Sequence, residues 1–490
     1  MKLNSLEIKN LRCFESFKIS FTPKTTIIIG RNGAGKSTLI DAIKIAISFI
    51  FSNNKQLGKD FLSAGNPSLN VNSFADSDFR YDSEHGTTSA DACVKGIAHY
   101  NGTELDWELY KRSTSGASLY STKYKDAFSR FMNEWKEKGA DLPLIACFSD
   151  SFPHKATKQT PFAIKNILKD RIPRNFGYYQ WNLDTACTSI WEIRLCTQLS
   201  KMLPLQAKMS NIVSSIQSME DSTSHDVLKE NDEYLELLKE QNRIIKIYGP
   251  LYDEVVGCIQ AKLYKFSRKL PKLLDEGYWI DYLSPAISNT AQEILLVFKN
   301  GKSCKLNELP AGYRRLYSIV IDLAYRAFIL NGKKEPSGIV LIDEIDLHLH
   351  PSLEQEVVQC FRDVFPNVQF IMTSHSAAVI ANLDTTEKVE NEDGNIVPAN
   401  QLVFMQEGQT DADVLPVIYG LDYNAALRDF MGSPSRNADM KKKGDEYLAY
   451  CSMGLVEEAN SIIAELKNSL GDNHEYVKEL LEKARVYEVH

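Results

Sequence analysis

The chain has 490 residues, too many for one ordinary globular domain, so two or three lobes are expected. Hydrophobic residues make up 43% and charged residues 24%, which excludes a disordered or fibrous chain. A net charge of −8 excludes a surface uniformly coated for nucleic acid, though a local basic groove remains compatible with it.

The first residues, MKLNSLEIKNLRCF, alternate polar and apolar side chains as a strand does, and they lack the apolar core of a signal peptide. Strands are expected at residues 3–8 and 17–21, and the β-branched run 25–29 suits a buried central strand. Gly30 ends that strand, and a helix follows from about 36 to 51, apolar at Leu39, Ile40, Ile43, Ile47 and Ile50. Residues 53–118 are polar, with strand-like pieces near 92–99 and 105–111. They predict a peripheral β lobe, closed by the buried strand 142–148. A helical pattern from about 185 to 269 predicts a helical lobe. Residues 293–298 and 303–306 predict a hairpin turned at Asn300-Gly301 in type I′ geometry. Two apolar strands, 338–342 and 368–372, bracket a helix beginning near Pro351, and residues 412–490 read as helical again. The nine cysteines are scattered, odd in number and without a C-x-x-C pair, so they predict reduced thiols rather than disulfides or a zinc site. No window approaches the roughly 18 apolar residues that span a bilayer, and a cytoplasmic protein with no membrane partner is expected.

Three motifs carry chemistry. Gly30-Arg31-Asn32-Gly33-Ala34-Gly35-Lys36-Ser37 matches G-x-x-x-x-G-K-[ST] between a strand and a helix. Its glycines let backbone N–H groups turn inward onto phosphate oxygens, and the helix N-terminus adds a favourable dipole. This loop with Thr38 is the expected ATP-binding segment: Lys36 reaches the β- and γ-phosphates and the Ser37 hydroxyl ligates Mg²⁺. The second motif, Ile339-Val340-Leu341-Ile342-Asp343-Glu344, ends a strand in two acids. Strand alternation sends them to opposite sides, so one can hold Mg²⁺ with Ser37 while the other activates the attacking water. The third, Thr373-Ser374-His375-Ser376, puts a histidine at the end of another central strand, beside the expected γ-phosphate.

Together, the loop in its R-N-G-A-G-K-S-T form, DEIDLHLHP and TSHS resemble the ABC-class ATPases of the RecF and SMC group, especially the compact prokaryotic ones. The resemblance implies an α/β ATPase head: a central mixed or parallel sheet flanked by helices, a peripheral antiparallel β lobe and a short helical lobe. It implies Glu344 as the catalytic carboxylate, Asp343 with Ser37 as the Mg²⁺ ligands, and His375 as the γ-phosphate switch. Asp346 falls in the D-loop that crosses to a partner chain, His348 and His350 in its tail, and Arg12 matches a basic residue that approaches nucleotide. The signature loop, which meets the γ-phosphate of the opposite protomer, is best matched by Pro310, Ala311, Gly312, Tyr313 and Arg314, with Arg314 or Arg315 as an arginine finger. Its departures from L-S-G-G-Q are Ala311 for the first glycine and Tyr313-Arg314 near the glutamine. No glutamine precedes Gln159 after the strand 142–148, so the Q-loop role stays unassigned.

The expected organisation is an N-terminal ATPase half with the β lobe (1–184), a helical lobe (185–290), a C-terminal ATPase half (291–411) and a helical partner or oligomerisation region (412–490). The helical lobe is far too short for a long SMC-type arm, since a helix rises only about 1.5 Å per residue. Residues 404–411 superficially resemble the start of a Toprim nuclease fold, but no later apolar strand ends in D-x-D. The tail, through Tyr419-Gly420-Leu421-Asp422 and residues 428–436, with Gly177-Tyr178-Tyr179 and Trp191, resembles anti-phage defence ATPases, most of all the ATPase subunit of Septu-type and retron-associated systems. That resemblance implies a homodimer or larger homo-oligomer, a separate HNH-type nuclease partner, and DNA or retron RNA/DNA as nucleic-acid partners. The rival expectation is a RecF-like repair ATPase that binds duplex DNA directly; a non-hydrolysing scaffold is a third.

Overall fold

The computed structural model describes residues 1–490 apart from 54–61, 64, 67–68, 83–84, 114–117, 150–159, 183–187, 224–227, 229–230, 271–277, 288–291, 393, 416–419, 421–422, 424, 427–436 and 486–490. The segment 150–159, where a Q-loop was sought, and most of the tail residues quoted above, 419, 421–422 and 428–436, lie outside the described residues. Two compact units emerge, Met1–Leu421 and Asp422–His490.

In chain order the first unit comprises β1 (Lys2–Leu11), β2 (Phe14–Ser20), β3 (Thr25–Gly30), α1 (Lys36–Ile47), β4 (Asp91–Tyr100), β5 (Thr103–Arg112), α2 (Lys125–Lys136), β6 (Leu144–Phe148), α3 (Thr188–Ser222), α4 (Asp232–Tyr252), α5 (Ala261–Lys269), β7 (Ile280–Ile287), β8 (Gln292–Phe298), β9 (Ser303–Lys305), α6 (Ala311–Asn331), β10 (Gly338–Ile342), α7 (Pro351–Val364), β11 (Val368–Thr373), α8 (Ala377–Asn382), β12 (Asn400–Met405) and β13 (Asp413–Val414). Its central sheet has the order β13-β12-β3-β11-β10-β6. All neighbours pair in parallel except the edge strand β13. β3, β10 and β11 are buried along their whole length, as apolar strands covered on both faces must be. Because the strands run parallel, Gly30, Phe148, Ile342, Thr373 and Met405 all end at one edge of the sheet, where ligands of such sheets gather.

The α/β class with an antiparallel lobe and a helical lobe is as expected, but one strand assignment is corrected. The N-terminal hairpin belongs to the β lobe, a sheet of order β2-β1-β4-β5. The strand at 144–148 does not close that lobe; it pairs with β10 at the edge of the central sheet. The lobe rests on α1 through Trp107, whose Nε1 donates to the Ala46 carbonyl at 2.8 Å and whose ring stacks on Phe49 at 4.2 Å.

α3 and α4 form an antiparallel hairpin with its own small core of Ile212, Ile216, Leu228, Tyr234 and Ile244. Lys208 pairs with Glu240 across it, and the Tyr234 hydroxyl donates to Glu220 at 2.7 Å. In that register Pro204 and Pro250 fall at the same end of the hairpin, where it joins the head, and a π-helical segment, Asp253–Gln260, follows directly. The three-stranded sheet β9-β8-β7 includes a strand, β7, that was not anticipated. α6 runs through the core and is tied by buried polar bonds to Trp191 of α3 and to residues 177–179 that precede it. Trp191 Nε1 donates to Asp322 Oδ1 at 2.5 Å, and Arg326 donates to Asp322 and to the carbonyls of Gly177 and Tyr179. Arg194, also on α3, makes a buried pair with Glu254 at 2.7 Å.

The second unit holds α9 (Ala438–Met453), α10 (Val456–Leu470) and α11 (Glu475–Ala484), packed around Tyr447, Ile463, Leu466, Val477 and Leu480. Among the described residues no helix is long and apolar enough to cross a membrane, and eight cysteines are free thiols.

Candidate active site

The phosphate-binding loop leaves β3 at Gly30 and enters α1 at Lys36. Gly35 caps that helix with φ 92°, and a Cβ there would stand 2.7 Å from Phe14 Cζ and 2.8 Å from Cys13 Sγ, so only glycine fits the turn. Arg31, Asn32 and Gly33 are exposed, Ala34 is buried, Ser37 is exposed and Thr38 half-buried. The Lys36 ammonium folds back into its own loop and donates to the carbonyls of Gly30 at 2.8 Å and Arg31 at 3.1 Å. Burial lowers the Lys36 pKa, and the negative charges of Asp343, Glu344 and Asp346 oppose that shift. The loop and the acidic turn therefore share one electrostatic environment.

Asp343 and Glu344 lie just beyond β10, which ends at Ile342. Strand alternation does not separate them, contrary to the sequence argument. Glu344 has φ 51°, in the left-handed region, and that turn divides the two carboxylates. The turn is pinned to the end of β11: the Thr373 hydroxyl bonds Asp343 Oδ1, the Glu344 N–H donates to Thr373 Oγ1 at 2.8 Å, and the Ile345 N–H donates to the Thr373 carbonyl at 3.0 Å. Asp346 accepts from the His375 backbone N–H at 3.2 and 3.3 Å, which places the half-buried histidine beside the acidic turn. Ser376 caps α8 and donates to Glu354 at 2.5 Å. Lys36, Asp343, Glu344, Asp346 and His375 thus gather at one end of the sheet. Sequence reading missed Thr373, Ser376 and Glu354, because a hydroxyl closing an apolar strand gives no pattern of its own.

The segment 310–314 meets this cluster through the acidic turn. Gly312 packs so closely that a Cβ would lie 2.7 Å from the His348 carbonyl oxygen. Pro310 is exposed, Ala311 half-buried, and Tyr313 is buried with its ring stacked on Tyr278 at 4.4 Å. Arg314 donates to the Asn307 carbonyl at 3.3 Å. Arg315 is corrected: it is fully buried and its Nη2 donates to the Asp343 carbonyl at 2.7 Å, so it supports the acidic turn from within and is no outward-reaching finger. His350 caps α7 by accepting from the Ser352 N–H. Arg12 stands beside α1, paired with Asp41 at 2.7 Å and Asp78 at 2.8 Å. Burial alone would raise the Asp41 carboxyl pKa; Lys44 and Arg12 outweigh it and hold the group below its ordinary value.

The donor set suits the expected ligands. Ser37 and Asp343 offer hard oxygen atoms, and Mg²⁺ usually takes only one or two protein oxygens, the rest being water and phosphate. Among the described residues there is no group of three or more His, Cys, Asp or Glu that could hold a metal ion.

The chain is similar to several known proteins. The chain is 27% identical over 405 residues to the Retron Vc95 probable ATPase of Vibrio cholerae serotype O1 biovar El Tor, covering 80% of this chain and 73% of the relative. It is 34% identical over 105 residues to the Septu protein PtuA of Bacillus mycoides, covering 21% of this chain and 15% of that protein. An SMC head domain from Pyrococcus furiosus, solved with the C-terminal domain of ScpA, aligns with 84% of this chain and 96% of its own at 15% identity and a TM-score of 0.43. The retron and Septu relatives bear out the resemblance to retron-associated and Septu-type ATPases. A sequence model described as an AAA ATPase domain matches residues 1–380, and the chain belongs to that ATPase family.

Proposed function

We propose that the chain binds and hydrolyses ATP, that two copies close over the nucleotide, and that the closed pair governs a separate HNH-type nuclease in defence against phage. The observation that carries the reading is the convergence of Lys36 with Asp343, Glu344 and Asp346 at the edge of the sheet where Gly30 ends. In this reading Lys36 leaves the carbonyls of Gly30 and Arg31 and takes the β- and γ-phosphates, while backbone N–H groups of 31–36 hold the remaining oxygens. Ser37 and Asp343 hold Mg²⁺, which when bound neutralises charge on the phosphates. Glu344 orients and deprotonates the attacking water, and His375, fixed through its N–H to Asp346, reports whether the γ-phosphate is present. The start of α6, with exposed Pro310 before it and half-buried Ala311 and Arg314 around the buried Gly312, faces the partner's phosphates. The second unit, 422–490, meets the nuclease, and the names of the retron and Septu relatives support a defence setting.

The test is Glu344→Gln. Nucleotide binding should persist, turnover should fall by roughly a hundredfold or more, a usual range for losing a general base, and ATP should shift the variant from monomer to dimer in light scattering. A variant that keeps full turnover, or stays monomeric with saturating ATP, overturns the site assignment or the dimer respectively. Affinity purification with the product of a neighbouring nuclease gene tests the partner: salt-sensitive, ATP-stimulated binding to duplex DNA in its place supports the repair reading instead.

A further inference from the structure

The reading above gives roles to Asp343 and Glu344 but none to the residue that touches both. Thr373 closes β11, is fully buried, and sits between the strand of the phosphate loop and the strand of the acidic turn. Its hydroxyl has one proton. Asp343 Oδ1, as a carboxylate oxygen, can only accept, so that proton goes to Asp343, and a hydroxyl lone pair accepts from the Glu344 N–H at 2.8 Å. The proton direction is therefore settled by chemistry. One oxygen of Asp343 is held by Thr373 and the other is left for a cation. The same hydroxyl braces the backbone of Glu344, a non-glycine residue at φ 51° whose conformation needs support from its surroundings. The Thr373 carbonyl adds a third tie by accepting from Ile345 at 3.0 Å, and the next residue, Ser374, donates to the Ile28 carbonyl of β3 at 3.1 Å. A path of direct bonds thus runs from the phosphate-loop strand through residues 373–374 to both acids.

We infer that Thr373 is a positioning residue for ATP hydrolysis: its hydroxyl aligns Asp343 to hold Mg²⁺ and fixes the turn that presents Glu344 to the attacking water. The inference rests on the ATPase reading, and its test separates the two. In a Glu344→Gln background, the affinity for a fluorescent ATP analogue is measured with and without Mg²⁺. Thr373→Val keeps shape but deletes the hydroxyl, whereas Thr373→Ser keeps the hydroxyl and deletes the methyl. Valine should shrink the Mg²⁺-dependent gain in affinity by about tenfold or more, the effect of losing one hydrogen bond to a charged group. It should leave Mg²⁺-free binding unchanged, and Ser should restore the gain to within about threefold, a fraction of that hydrogen bond's worth. With Glu344 intact, Val should lower kcat by at least the same factor while Ser turns over near the parent rate. Should Val fail to fold by circular dichroism, Thr373→Ala replaces it with the same expectation. A Val or Ala chain with the parental Mg²⁺ dependence and kcat, or a Ser variant that falls as far as Val, overturns the positioning role. A parent chain that binds no nucleotide at all overturns the ATPase reading instead.

Discussion

Gly312 shows how one residue serves two arguments that only experiment can separate. The motif resemblance leads one to expect the central glycine of a loop that meets a partner's phosphate; the folded chain shows a need within a single copy, since a Cβ at that position would stand 2.7 Å from the backbone oxygen of His348. A backbone oxygen cannot swing aside as a side-chain tip can, so α6 or the acidic turn must shift. Gly312→Ala should therefore lower stability by about 1–3 kcal/mol, the usual range for overpacking, and do so in the nucleotide-free monomer. Chemical denaturation without ATP checks this. An unchanged midpoint there, together with lost ATP-driven dimerisation, would assign the glycine wholly to the partner. Arg315 carries the same lesson more sharply. In the sequence it is one of two adjacent arginines fit for a finger; folded, it lies buried with its guanidinium on the Asp343 carbonyl, and only Arg314 remains half-exposed. The phosphate loop and the acids were legible because their spacing is local. Thr373 was not, because its importance comes from bonds to residues about thirty positions away that no local pattern records.

At the scale of elements the same division holds. The helix after the loop, the buried strands β3, β10 and β11, and the hairpin of β8 and β9 follow from periodicity, but the type I′ turn expected at Asn300-Gly301 does not form: Gly301 alone is left-handed, at φ 79°, and its N–H donates to the Phe298 carbonyl at 2.9 Å. Which sheet each strand joins does not follow from periodicity, because β pairing is non-local: β1 pairs with β4 across some ninety residues, and β6 reaches β10 across nearly two hundred. β12 escaped notice because its apolar run is short and opens with Asn400 and Gln401, amides that look like loop. Folded, they are buried and bonded, Asn400 Nδ2 to the Asp384 carbonyl at 2.6 Å and Gln401 Nε2 to the Ser20 carbonyl at 2.6 Å. The contact of α3 with β8 carries a prediction of its own. Burial, and then the nearby charge of Glu293, push the Glu192 carboxyl from an ordinary 4.5 up to about 7. A carboxyl whose folded pKa lies above its unfolded value holds its proton more tightly when folded. The stability it supports is thus complete below about 4.5 and lost as pH rises through about 7. Glu192→Gln, neutral at every pH, should remove that loss, so the fall in urea midpoint between pH 5 and pH 8 should be smaller than in the parent. An equal or larger fall would mean that Glu192 is not desolvated in the folded head.

For the whole molecule, the partition of residues between the two units decides what each can do alone. Every residue of the proposed chemistry, from Arg12 through Lys36, Gly312, Asp343, Glu344 and Thr373 to His375, lies within Met1–Leu421. That unit also carries the β lobe that supports α1, the buried bond from Trp191 of α3 to Asp322 of α6, and the Arg315 bond to the Asp343 carbonyl that holds the start of α6 to the acidic turn. The unit Asp422–His490 has a separate core around Tyr447, Ile463, Leu466, Val477 and Leu480, and it contributes none of those residues. Its Met453, Leu455 and Val456 are exposed at the turn between α9 and α10, and in the proposed function this unit is the one that meets the nuclease. A chain ending at Leu421 should then hydrolyse ATP within about twofold of the full chain, since no catalytic group is removed, and should lose the nuclease partner in a pull-down. The converse result, turnover lost while the partner is still captured, would place the second unit inside the catalytic assembly and move the nuclease contact onto the head.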